Sequence, residues 1–117
     1  MALTHTSAEL ATAVLRKMTV IDADETPATE DSDFVVDAYE AKYHQMIDQK
    51  LAYWSIDAIP REIFSAVRDL VVNEVREAYG DAMSATEKEK EEIILLRPIR
   101  RHISRQTTGH EAQADYF

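Results

Sequence analysis

A chain of 117 residues with 45% hydrophobic side chains fits one domain with a modest core. Two Gly and three Pro are too few for a β-sandwich, which needs a turn signal every ~8–12 residues, so the composition points to a few long helices. A net charge of −9 sets the chain as a whole against nucleic acid, and the lack of Cys excludes a disulfide framework or a thiolate metal centre. No apolar stretch approaches the ~18 residues of a membrane span, so no membrane partner is expected.

The first helix is expected to start at Thr6, because Thr6-Ser7-Ala8-Glu9 has the form of a capping box. Leu10, Ala11, Val14, Leu15 and Met18 recur at helical spacing, and the β-branched run Thr19-Val20-Ile21 ends the pattern. Residues 22–33 read as an acidic loop entering a second helix. Thr26-Pro27 is the expected N-cap and first helical position, and the helix should run to about Leu51. Residues 52–59, with Tyr53, Trp54, Ile56 and Ile59, read as an apolar connector folded back on the core, ended by Pro60. The third helix carries Phe64, Val67, Leu70, Val71 and Val75 on one side and closes at Gly80. Ser84-Ala85-Thr86-Glu87 is a second capping box. The fourth helix it opens should break or kink near Leu95, ahead of Pro98, and residues 106–117 should form an extended arm. The fold class is therefore all-α, a bundle of about four helices over residues 1–96 with a basic docking segment at 97–117. Its core should be lined by Leu10, Val14, Val36, Tyr43, Ile47, Phe64, Val67, Leu70 and Val71.

No reaction-specific constellation stands out. Asp22-Ala23-Asp24-Glu25 begins like a calcium loop, but Thr26, Pro27 and Asp33 occupy the positions where an EF-hand needs an acid or Asn, a Gly and a Glu. His5, His44, His102 and His110 form no ligand pair, and there is no nucleophile elbow or Gly-rich phosphate loop. The expectation is a protein that is not an enzyme and uses neither cofactor nor metal.

The charge distribution is more informative. Residues 97–117 hold four Arg against Glu111 and Asp115, whereas residues 1–96 hold nine basic and twenty acidic side chains. Arg97, Arg100, Arg101 and Arg105 suit either a helix C-terminus or docking onto an acidic surface or phosphate. The closing Tyr116-Phe117 suits an interface, since aromatic residues are enriched there. These six residues are the expected partner-binding set, in a segment expected to order on its partner.

Three stretches carry a resemblance. They are residues 8–17 followed by Val20-Ile21-Asp22-Ala23-Asp24-Glu25-Thr26-Pro27, then Ala52-Tyr53-Trp54 leading through Ile59-Pro60 to Tyr79-Gly80, and finally the basic segment from Arg97 with the close Ala114-Asp115-Tyr116-Phe117. Together they resemble the head-to-tail adaptor proteins of tailed bacteriophages, the group that contains the podovirus packaged-DNA-stabilising tail accessory factor. The resemblance implies a helical subunit in a homo-oligomeric ring, usually of twelve, at the head–tail junction of the virion. Its C-terminal extension would dock on the portal protein, its opposite face would receive the next tail component, and DNA would pass non-specifically through the lumen. The acidic stretch 22–40, with eight acids and no Lys or Arg, departs from that pattern. The competing reading is a small helical DNA-binding regulator using the Arg cluster.

Overall fold

The computed structural model describes residues 3–81 and 83–114, with side chains described as far as Ser104. Four helices form the fold: α1 (Ser7–Lys17), α2 (Thr29–Asp48), α3 (Phe64–Val75) and α4 (Ala85–Ala114). A 3-10 turn, Arg76–Tyr79, extends α3 to Gly80, whose φ of 87° is the left-handed conformation that glycine adopts without steric cost. The expected small helical bundle is what the chain forms.

Helix α1 begins as its sequence predicts. The Thr6 hydroxyl accepts from the Glu9 N–H, and the Glu9 carboxylate accepts from the Thr6 N–H, both at 3.1 Å. The Thr6 N–H and the His5 side chain hold the Glu9 carboxyl below the usual carboxylate range. Two short strands, absent from the sequence reading, lie beside this cap. β1 (Thr4–His5) pairs antiparallel with β2 (Ile59–Pro60), with Thr4 opposite Pro60 and His5 opposite Ile59. Two-residue strands carry no alternation for a sequence to display, so only the long-range pairing defines them.

Helix α2 begins at Thr29, behind an extended Ala28 with no side-chain cap, rather than at Thr26-Pro27. The loop before it closes on itself instead, the Asp22 carbonyl accepting from the Glu25 N–H and the Glu25 carboxylate from the Asp22 N–H. Its first turns are held from outside. The Tyr79 hydroxyl donates to Asp31 at 3.0 Å, and Phe34 meets the Tyr79 ring edge-on at 6.1 Å.

The core joins Leu10, Val14 and Leu15 of α1, Val35, Tyr39, Tyr43 and Met46 of α2, Val67, Leu70 and Val71 of α3, and Leu96 and Ile99 of α4. Of the expected core residues, Val36 and Phe64 are only partly buried, and Ile47 is exposed. The stripe of α2 passes through Val35, Tyr39, Lys42, Tyr43 and Met46, which leaves Ile47 on the flank.

The connector folds back as expected, held by the two tyrosines of α2. The Tyr39 hydroxyl donates to the Ile56 carbonyl at 2.8 Å and accepts from the Trp54 indole N–H at 3.2 Å, while Tyr43 donates to the Trp54 carbonyl. Each buried hydroxyl is thereby satisfied, which offsets its loss of water. Burial pushes the Tyr39 phenol up to about 12.

The break foreseen near Leu95 does not occur. Helix α4 runs unbroken across Pro98 to Ala114, and residues 106–114 are helical where an extended arm was expected; residues 115–117 lie outside the described residues. Pro98 removes the bond that the Ile94 carbonyl would accept, but Pro98 is exposed and Leu96 and Ile99 beside it are buried in the core. Packing on both sides of the proline, continued by the partly buried Ile103, holds the helical path where local propensity would end it.

Candidate docking surface

The position of Arg97, Arg100 and Arg101 follows from the register of α4. Leu96 and Ile99 face the core, which turns the three arginines to solvent, and all three are exposed. They share that side of the helix with Lys90, Ile93 and Ile94 upstream. The side chain of Arg105, and the whole of Tyr116 and Phe117, lie outside the described residues. The structure therefore brings three of the six expected docking residues together. Among the described residues no ion pair uses any of the three arginines.

Helix α4 is 30 residues long, roughly 45 Å at the usual helical rise. Among the described residues Ile103 is the last one of α4 packed on the core. At that point the connector reaches across: Tyr53 is hydrogen-bonded to His102 at 2.6 Å, with the rings stacked at 5.6 Å. A cleft of about 270 Å3 opens beside this contact, lined by Glu62, Ile63, Pro98, Arg101 and His102.

Sequence reasoning missed a buried ion cluster beneath this helix. Lys42, 5% exposed, donates to Glu74 of α3 at 2.9 Å, to Gln45 at 3.1 Å and to Glu92 of α4. Burial pulls the Lys42 ammonium down, but its hydrogen bonds to Glu92 and Glu74 outweigh that and hold it above its ordinary value. The signal was a Lys at position 42, inside the apolar stripe 35–39–43–46. Asn73, 1% exposed, lies nearby; its amide donates to the Lys88 carbonyl at 3.3 Å while its Oδ1 has no hydrogen-bond partner.

Lys17, Val72 and Arg76 line two adjoining hollows, one of about 230 Å3 that also touches α4 and one of about 320 Å3 between the end of α1 and the turn after α3. Arg76 is already paired with Asp81 at 2.7 Å, so its charge is compensated there. Among the described residues no group of three or more His, Asp or Glu is placed to hold a metal ion, and no helix is long and apolar enough to cross a membrane. The loop acids Asp22, Asp24 and Glu25 are exposed and lead into α2. His5 pairs with Glu9 and packs on Phe64, and His102 pairs with Tyr53. These contacts tie elements together.

Comparison with protein-family models, with curated protein sequences and with solved structures finds no match to this chain.

Proposed function

We propose that the chain is a structural adaptor of a tailed-phage virion, a ring subunit beneath the portal that joins head to tail. The observation that carries this reading is the outer face of α4. It carries exposed arginines that have no ion-pair partner among the described residues, on a chain whose remainder is strongly acidic. Such a helix suits an acidic protein surface, which Arg engages through charge-assisted, often bidentate hydrogen bonds.

In this reading Arg97, Arg100, Arg101 and Arg105, with Tyr116 and Phe117, dock on the portal protein. The bundle offers its other end to the next tail component, about twelve copies close the ring, and DNA passes through the lumen without sequence recognition. An acidic body favours that passage, because like charge keeps phosphate from adhering. The protein acts through its surfaces, with no catalytic step.

The test is co-assembly with the portal protein of the same genome, followed by native mass spectrometry. The parent chain should give a portal complex with a fixed number of copies. The variant Arg100→Glu with Arg101→Glu, and a chain ending at residue 105, should keep the parent's melting temperature within a few degrees and lose the complex. Undiminished portal binding by both variants would reject the docking role. Tight, salt-dependent binding of the free chain to duplex DNA, lost in the same Arg variant, would favour the DNA-binding regulator instead.

A further inference from the structure

Two outer faces of this chain carry opposite charge, and neither meets its counterpart among the described residues. On α4, Lys90, Ile93, Ile94 and Arg97 lie on one side of the helix, because steps of three, four and seven return to the same face. All four are exposed, Ile93 at 61% and Ile94 at 49%. On α2, Glu30, Asp33 and Asp37 recur at the same spacing on the solvent side, with Phe34 exposed at 43% beside them. Among the described residues no ion pair uses Lys90, Arg97 or any of these three carboxylates. The α4 face is thus apolar between Lys90 and Arg97, with Glu87 one turn before Lys90, and the α2 face is apolar with an anionic border.

We propose that the chain binds a second copy of itself head to tail, with the Lys90–Arg97 strip of α4 in one copy seated on the Glu30–Asp37 face of α2 in the next. Ile93 and Ile94 pack against the neighbour's Phe34, and Lys90 and Arg97 meet Glu30, Asp33 and Asp37 at the edges. Apolar side chains at the centre with charges at the rim are the ordinary anatomy of a protein interface. The complementary charges favour this register over like-charged pairings of α2 with α2 or α4 with α4. A second copy suits the strip better than nucleic acid does, because the net charge of −9 repels phosphate while the next copy presents the matching anionic face. The two patches are different surfaces, so the contact is heterologous, and each copy keeps one face open for a further copy until a ring closes. This deepens the ring reading by naming the contact between subunits. It moves Arg97 from the portal set to the contact between copies and leaves Arg100, Arg101 and Arg105, further along the chain, to the portal.

The experiment is sedimentation velocity on the full chain alone, up to about 1 mM, since a contact between two helix faces is smaller than a standard interface and associates weakly. One variant carries Lys90→Glu and Ile94→Glu, the other Asp33→Lys and Asp37→Lys. All four positions are exposed, and circular dichroism first establishes that both variants keep the parent's helix content. The parent should form species larger than two copies, and raising salt from about 50 to about 500 mM should weaken that association about tenfold. Each variant alone should sediment as a monomer, and their equimolar mixture should associate again, because the intact α4 strip of one meets the intact α2 face of the other. A parent that stays monomeric or stops at two copies, a variant that assembles like the parent, or a mixture that fails to form the pair would overturn the proposal. Portal protein is absent throughout, so failure here leaves the portal reading to its own experiment.

Discussion

Replacing Lys42 with Met removes a charge from the cluster that ties α2, α3 and α4 by ions. The residue is 5% exposed, and Met matches its reach closely enough that little packing is lost. What remains is a pair of carboxylates, Glu74 and Glu92, stripped of their shared cation. Removing one partner of a fully buried pair costs about 3–5 kcal/mol. Here the two carboxylates keep 30% and 31% of their exposure, and Lys88 stands 3.7 Å from Glu74, so water and a second cation recover part of that. A discount of roughly half leaves about 2 kcal/mol, which in a domain of this size lowers the melting temperature by about 8–16 °C. Differential scanning calorimetry at pH 7 reads it directly. A Glu92→Gln partner variant completes a double-mutant cycle, with a coupling of about 1 kcal/mol or more expected. Melting within about 2 °C of the parent would show that the cluster contributes nothing net, the outcome in which desolvation cancels attraction.

Other expectations test separate links. Val67→Asp buries an unpaired charge at a site with no exposure and should cost about 3–5 kcal/mol, unfolding the domain at room temperature by circular dichroism. Thr6→Ala should cost about 1 kcal/mol by urea denaturation, because the cap on Glu9 is lost. The Tyr39 phenol is raised from 10.0 to about 12 in the fold, so its stabilising contribution is complete below pH 10 and is lost as pH rises toward 12. The parent's melting temperature should fall across that window, and less steeply in Tyr39→Phe. Pro98→Ala restores the bond to the Ile94 carbonyl within a continuous helix and should stabilise by about 1 kcal/mol or more; an unchanged melting temperature would mean that the helix is interrupted there after all.

Local signals in the sequence determined the helices that a short window can encode. Thr6 with Glu9 marks the start of α1, Ser84 stands where its hydroxyl accepts from the Glu87 N–H ahead of α4, and Gly80 ends the turn after α3. Each of these contacts spans a few residues, so the residues that make it are legible together. The aromatic connector was legible too, since Trp54 and Ile59 bury their apolar area by folding back on the core, while Tyr53 stays 47% exposed. The Arg cluster was legible as charge, but the exposure of Arg97, Arg100 and Arg101 follows from α4 continuing past Pro98 with Leu96 and Ile99 in the core. Only the tertiary structure decided the rest. Whether Pro98 ends α4 depends on Leu96 and Ile99 finding the core, whether Lys42 is a surface residue depends on Glu74 and Glu92 arriving from two other helices, and the pairing of Thr4–His5 with Ile59–Pro60 joins residues more than fifty positions apart. In each case the deciding partner is distant along the chain, and its contribution outweighs a local preference of a kilocalorie or so, which a residue's neighbours in sequence do not reveal.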